Sequence, residues 1–339
     1  MLTTAQPTHS ADQQGAAIAA APPQTAALSL MCVGVCTAGR PQLLSKCLAS
    51  LVLQRLPRNY ACVLIVVDND AEPQARPIVE AAAAHSRFPI CYLHETRRGI
   101  SFARNRVLDE ALDIGAHWVG FIDDDETAPP DWLAKMIAAS RRYQADVLQG
   151  PVRPVYPRPL PFWALRKPSE LAEGETMKFA ATNNVIFSER LIRADGMDLR
   201  FDEAMGISGG EDTDFFLRAR MRGARIIFSE RPAIREEVPS VRLTYARQMQ
   251  RAFRNGANDV YIKRKYYGVT IFVRRLPQIL LRIPRGAMQM LISPLLAPFS
   301  LHLFKKAALE GGRKISKSLG VLAGLGGLRP GAYRKIDGC

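Results

Sequence analysis

Three consecutive carboxylates, Asp123, Asp124 and Asp125, follow directly on the apolar run Trp118-Val119-Gly120-Phe121-Ile122. Such a run reads as a buried strand. Acids crowded at its end repel one another and are costly to desolvate. A cation relieves the conflict: carboxylates at positions n and n+2 can converge on one hard metal ion and the phosphates it carries. A solvated loop or a helix N-cap is the plainer use, because Pro129, Pro130 and Asp131 follow closely. A second acidic group lies in Gly206-Ile207-Ser208-Gly209-Gly210-Glu211-Asp212-Thr213-Asp214-Phe215-Phe216. Its glycines make the backbone approachable, and its acids open a helix running to about Arg222. Glu211 and Asp212 suit a helix N-terminus electrostatically. One of them can equally serve as a general base.

The elements that must position these groups alternate regularly. Strands are expected at Leu30–Cys36, Cys62–Val67, Ile90–Leu93, Trp118–Ile122 and Val147–Gly150. Helices are expected at Pro41–Leu53, Ala75–His85, Ile100–Asp113 and Pro130–Tyr143. Strands alternating with helices of this length argue for a parallel, doubly wound sheet, whose ligands bind beyond the carboxyl ends of the strands. At those ends stand Thr37-Ala38-Gly39-Arg40, then Asp68-Asn69-Asp70, then Asp123 to Glu126. Three polar clusters on one sheet edge are better explained by a site than by separate turns. No G-x-x-x-x-G-K-S/T loop is present and no G-x-G-x-x-G follows the first strand, which argues against a P-loop nucleotidase and a dinucleotide enzyme. From about Pro151 to Met177 prolines recur, with Tyr156, Phe162 and Trp163 among them; this reads as a lid or binding loop. Thr182–Phe187 then reads as a strand that resumes the sheet.

Of the 339 residues, 47% are apolar, enough for one large α/β domain plus an appendage. The net charge of +14 is uneven. Residues 240–339 hold 19 Lys+Arg against 3 Asp+Glu, while the preceding residues balance near zero. Such asymmetry suggests an anionic surface as partner. The 6 cysteines show no zinc or redox spacing; Cys32, Cys36, Cys62 and Cys91 lie in or beside apolar runs and read as small buried hydrophobes of a reducing compartment. His94 and His117 sit beside expected strands and read as structural. Residues 1–27 contain no Lys or Arg and no continuous apolar core, and read as a disordered leader.

The chain resembles a family 2 glycosyltransferase of GT-A fold over about residues 28–235. The resemblance rests on Val67-Asp68-Asn69-Asp70, Gly99-Ile100-Ser101-Phe102-Ala103-Arg104-Asn105, Phe121-Ile122-Asp123-Asp124-Asp125 and Gly210-Glu211-Asp212, in this order and spacing. More narrowly it resembles the succinoglycan-type exopolysaccharide glycosyltransferases of bacteria. The fold implied is a mixed, mostly parallel Rossmann-like sheet flanked by helices. Residues 28–240 would form the catalytic domain and 241–339 a basic helical acceptor and membrane-association region.

The resemblance also implies roles. Thr37, Ala38 and Arg40 would border the nucleotide, where the family usually carries a Pro-x-Tyr/Phe-Asn or similar turn. Asp68 would accept a hydrogen bond from the nucleobase, with uracil favoured. Asp70, Gly99, Arg104 and Asp124 belong to the same nucleotide side. Asp123 and Asp125 fill the outer positions of the Asp-x-Asp motif, Asp123 toward the ribose and metal, Asp125 on the metal itself. Asp212 matches the base, with Glu211 its neighbour. The implied activity is inverting, Mg²⁺- or Mn²⁺-dependent transfer of a hexose from a nucleotide-sugar such as a UDP-hexose. The acceptor would be a lipid-linked saccharide at the cytoplasmic face of the plasma membrane. A soluble acceptor, or a non-catalytic basic-tailed protein binding nucleic acid or membrane, are the other readings. No nucleic-acid-binding motif is present, so nucleic acid is not expected as a partner. Arg242, Arg247, Arg251, Arg254, Lys263, Arg264 and Lys265 are expected on one long helix through Tyr266; Arg251 or Arg254 could meet acceptor pyrophosphate, or all could be solvated charges. Gly286–Phe304 is 19 residues without charge but is broken by Pro294 and Pro298. It reads as an interfacial or re-entrant hairpin, with a membrane span or a packed helix pair as alternatives. Gly320–Gly327 suits close helix packing.

Overall fold

The computed structural model describes residues 28–157, 171–328 and 331. The expected leader, 1–27, lies outside the described residues, as do Phe162, Trp163 and Cys339.

The alternation of elements is realised almost as read. β1 (Ser29–Thr37), β2 (Tyr60–Asp68), β3 (Ile90–His94) and β4 (Trp118–Phe121) are all parallel to one another. They join β6 (Val147–Gln149), β8 (Val185–Ser188) and β9 (Ile226–Phe228) in one seven-stranded sheet of order β3-β2-β1-β4-β8-β6-β9. Side chains alternate across a strand. Met31, Val33 and Val35 of β1 therefore face one core with Leu44 and Leu48 of α1 (Pro41–Leu51), Val79 of α2 (Arg76–Ala83), and Trp132 and Met136 of α4 (Trp132–Tyr143). Cys32 faces the other core with Val107 and Leu108 of α3 (Ile100–Asp113), and Phe215 and Phe216 of α5 (Glu211–Met221). Gly34 in β1 lets α3 sit close: an added Cβ would lie 2.5 Å from a Val107 methyl. Cys32, Cys47 and Cys62 are buried, and burial pushes the Cys62 thiol up to about 12.

Two features depart from the simple parallel reading. The strand expected at Thr182–Phe187 begins only at Val185, and β8 runs antiparallel to both β4 and β6. Asn184 is spent as a polar strut: its amide accepts from Trp132 Nε1 at 2.7 Å and donates to the carbonyls of Pro151 and Pro232 at 2.8 Å. The Pro-rich stretch is also partly regular. β7 (Val152–Val155) pairs with β10 (Ile234–Glu237), which pairs with β5 (Glu126–Thr127), forming a second, three-stranded sheet. Pro154 is tolerated because β7 is an edge strand.

The basic C-terminal region is helical. α6 (Tyr245–Tyr267) and α7 (Thr270–Ile292) both pack on α8 (Leu301–Leu325). Small residues set the spacing. An added Cβ at Gly256 would strike the Lys317 carbonyl, and one at Gly320 the Phe253 carbonyl. Gly286 and Gly311 face each other in the same way across α7 and α8, each Cβ position 2.7 Å from the other's carbonyl. Among the described residues no helix is long and apolar enough to cross a membrane.

Gly320→Leu is expected to force α6 and α8 apart. Overpacking of this kind costs about 1–3 kcal/mol, read as a lower urea midpoint. An unchanged midpoint would show that the helices are not held at this spacing.

Candidate active site

Because β1 to β4 are parallel, their carboxyl ends lie along one edge. Thr37 is in register with Asp68, and Asp68 with His94. Asp123 to Asp125 emerge beside them from β4. All three acidic positions are held by arginines from distant segments. Arg40, just after β1, donates to Asp124 at 3.0 Å and stands 3.6 Å from Asp125. Thr37 Oγ1 donates to the other Asp124 oxygen at 2.8 Å. Arg104 of α3 stands 3.8 Å from Asp123 and pairs closely with Glu211 at the start of α5. Arg242 donates to Asp125 at 3.0 Å and to Glu236 of β10 at 3.1 Å. Glu126 closes the turn by accepting from the Asp123 amide at 2.8 Å.

This crowding perturbs the acids in a definite direction. Burial, with repulsion from Asp125 and Asp124, pushes Asp123 up to about 7, while Arg104 opposes the rise. The Asp123 side chain still keeps 47% of its surface exposed, so water screens part of this effect. Burial likewise pushes Glu211 up to about 6 against the pull of Arg104, with Asp212 adding to the rise. Glu126 lies well above the ordinary range for the same reason, burial first and Asp123 second. Burial would lower the Arg40 guanidinium, but Asp124 and Asp125 outweigh it and raise it.

The two members of the Glu-Asp pair are placed differently. Glu211 is buried, bound to Arg104 through one oxygen, with Oε2 accepting from no described protein group. Asp212 is half-buried and, among the described residues, bonded only to the amide and hydroxyl of Thr213, at 2.6 and 3.3 Å. Of the two, Asp212 has the freer carboxylate. Gly209 and Gly210, at φ 78° and 91°, make the turn that brings both to this edge. α6 anchors it: Asn258 donates to the Ser208 and Gly209 carbonyls at 3.0 and 2.9 Å. Asp214, fully buried, accepts from Tyr266 at 2.6 Å, Arg218 at 2.8 Å and Lys265 at 3.0 Å.

Several expected residues are tied up in loops. Asp68 is buried and accepts from the amides of Asp70 at 3.2 Å and Ala75 at 3.0 Å, and from the Tyr92 hydroxyl at 3.3 Å. The crevice it lines with Thr37, Arg40 and Gln74 measures only about 10 Å³. That is room for about one water, too little for a nucleobase with its lining as it stands. Asp70 accepts from the Ala71 amide at 2.8 Å, and its carbonyl meets His94 Nε2 at 2.9 Å. Gly99, at φ 141°, donates to Asn69 Oδ1 at 2.9 Å and abuts the backbone of Gly206. Ala38 forms the turn before Arg40 and offers only backbone. His117 accepts from the Leu30 amide at 3.2 Å, a structural role. One participant was misplaced by the sequence reading and one escaped it. Arg242, expected on the long helix, lies in the turn Ser240–Leu243 before that helix starts at Tyr245, and is a buried-acid partner rather than a solvated charge. Glu236 sits in a strand recognisable only through its pairing.

The donors here are hard carboxylate oxygens, the set that suits Mg²⁺ or Mn²⁺. Among the described residues no group of three or more acids, histidines or cysteines is arranged to hold an ion alone. Two carboxylates can share such an ion with substrate phosphates.

A mixed, mostly parallel sheet with acids gathered at its carboxyl edge places the molecule in the GT-A class. Over 89% of its length it superposes on 89% of the mannosyltransferase PcManGT from Pyrobaculum calidifontis, solved with GDP-Man and Mn²⁺, with a TM-score of 0.59 at 16% identity, a likeness of fold. Residues 32–206 match the description "Glycosyl transferase family 2". The chain is 37% identical over 240 residues to the succinoglycan biosynthesis protein ExoM of Rhizobium meliloti (strain 1021), covering 66% of this chain and 72% of that protein. A shorter match, 29% identical over 107 residues, links 32% of this chain to 14% of the glycosyltransferase GlyA of Streptococcus pneumoniae serotype 4. The chain belongs to glycosyl transferase family 2 and resembles exopolysaccharide-synthesis enzymes.

Raised carboxyl groups bind protons more tightly in the folded state, so their ionisation lowers stability as pH rises toward 7. Arg104 limits that loss at Glu211. Arg104→Gln is therefore expected to cost about 3–5 kcal/mol at pH 8, the range for an uncompensated buried charge, and distinctly less at pH 5, where Glu211 is protonated. Equal losses in urea unfolding at both pH values would remove charge compensation as the reason.

Proposed function

We propose that this chain transfers a hexose from a nucleotide-sugar, with a UDP-hexose favoured, to a lipid-linked saccharide in exopolysaccharide or related cell-surface glycan synthesis. The observation that carries the reading is the linkage of two acidic groups through Arg104. It stands 3.8 Å from Asp123 at the end of β4 and pairs with Glu211, the residue before Asp212, at the start of α5. Metal-side acids and a carboxylate bonded only to its neighbour Thr213 among the described residues thus border one edge, as a displacement between a nucleotide-sugar and a hydroxyl requires. The ExoM likeness supports the class of product.

In this mechanism Asp212 accepts the proton of the acceptor hydroxyl as that oxygen attacks the anomeric carbon. Attack on the face opposite the leaving diphosphate inverts the centre. Arg104 and Glu211 orient the turn that presents Asp212. Asp123 and Asp125 would hold Mg²⁺ or Mn²⁺, which when bound offsets charge on the departing diphosphate. Asp68, Thr37 and Arg40 form the nucleotide wall, with the 70–75 loop yielding to the base. Residues 28–240 serve as the catalytic domain and 241–339 as the acceptor and membrane-association region.

The membrane assignment rests on α7 and the turn after it. Leu291, Leu295 and Phe299 are 75%, 68% and 87% exposed, and Arg282, Arg285 and Lys305 are exposed nearby. An apolar face edged by cations complements an anionic leaflet, here the cytoplasmic face of the plasma membrane.

Asp212→Asn is expected to lower transfer by about 10²–10⁴-fold while UDP-sugar binding by calorimetry is retained; near-normal turnover would take Asp212 out of the mechanism. The double variant Leu295→Glu/Phe299→Glu changes exposed positions only. It is expected to stay in the supernatant when spun with phosphatidylglycerol vesicles that pull down the parent chain. Equal pelleting of both would move the docking face elsewhere.

A further inference from the structure

Arg242 lies in a short helical turn, Ser240–Leu243, beyond residue 206 where the family match ends. Its guanidinium bridges two buried carboxylates, Asp125 at 3.0 Å and Glu236 at 3.1 Å. Arg40 approaches the same Asp125 oxygen at 3.6 Å. Its backbone is fixed as well: the Arg242 carbonyl accepts from Gln248 Nε2 at 3.0 Å, and Gln248 Oε1 in turn accepts from Arg313 of α8.

Asp125 is the carboxylate assigned to the metal, so this inference rests on the metal-dependent reading above. A guanidinium and a divalent ion compete for one carboxylate oxygen by like-charge repulsion. A planar fork that fits a carboxylate fits a diphosphate equally. The chain's own geometry supplies both halves of an exchange: an acid that must be vacated, and Glu236, which retains the arm while it swings.

We propose that Arg242 is a resident counter-ion that occupies Asp125 while the donor site is empty and moves to the diphosphate of the nucleotide-sugar when donor and metal enter together. Metal alone then binds weakly, because it must displace Arg242 with no phosphate to receive it. Donor and metal favour each other, because the displaced arginine gains a new partner. Arg242 is in this sense a donor-binding residue contributed by the segment that leads into the helical region.

The test is binding rather than turnover. Mn²⁺ is titrated into the full chain without nucleotide and free Mn²⁺ is read by electron paramagnetic resonance; UDP is then titrated by calorimetry at saturating Mn²⁺. Arg242→Gln is expected to bind Mn²⁺ alone about tenfold more tightly and UDP about tenfold more weakly, a change the size of one charge-assisted hydrogen bond. Arg242→Lys keeps the charge without the fork. It is expected to leave Mn²⁺ affinity near that of the parent while still weakening UDP, and it serves alone should the glutamine variant not fold. A merely structural role would weaken both ligands together or neither. Arg242→Gln with unchanged or weaker Mn²⁺ binding overturns the exchange. A parent chain that binds no Mn²⁺ even with UDP present overturns the metal-dependent reading itself, and the exchange with it.

Discussion

Charge balance at the end of β4 is the constraint on which the site depends. Four acids in succession, Asp123 to Glu126, leave the sheet beside two more, Glu211 and Glu236. Asp124, Asp125, Glu126, Glu211 and Glu236 are buried. Left alone, such a group would hold protons or unfold. Arg40, Arg104 and Arg242 oppose this, and each comes from a different part of the chain. The same pairs that neutralise the acids tie α3 to α5 and the sheet edge to the segment before α6. Electrostatic need and architecture are here one set of contacts.

The sheet makes that balance possible by delivering its strand ends in register. Thr37 and Asp68 are paired across β1 and β2, and Gly34 with Phe121 across β1 and β4, so the polar residues that follow arrive side by side. Chemistry-bearing groups sit on short loops, while the strands beneath them are packed on both faces. Asn69 shows how the loops are stiffened: its amide donates to the carbonyls of Glu95 and Arg97 at 2.8 Å and accepts from Gly99. The loop carrying Asp68 is thereby stitched to the start of α3, which carries Arg104.

The helical region is more than a basic appendage. α6 supplies Asn258, Lys265 and Tyr266, which hold the glycine turn and Asp214 beneath the Glu211–Asp212 pair. The same helix packs on α8, whose Arg313 reaches Gln248 and through it Arg242. The apolar, cation-edged face on α7 and its following turn is therefore mechanically continuous with the acids at the sheet edge. Close glycine contacts between these helices make the region a packed unit rather than a solvated tail.

The local pattern was enough to place β1 to β4, α1 to α4 and the acids at their ends, because period-two and period-3.6 burial are written residue by residue. It also placed the helix opening at Glu211, through adjacent glycines and acids. What it could not show depends on pairings between distant segments. β8 turns antiparallel because of its neighbours β4 and β6, while its own composition suits either direction. Glu126, Pro154 and Glu236 share a small sheet only through long-range pairing. By residue type alone Glu211 and Asp212 look interchangeable, and their surroundings become unlike only when Arg104 takes Glu211. Arg242 meets Asp125 across 117 positions of chain. A buried carboxylate chooses its counter-ion by proximity in the folded state, and that proximity exists only once the sheet edge and the helices have closed around it.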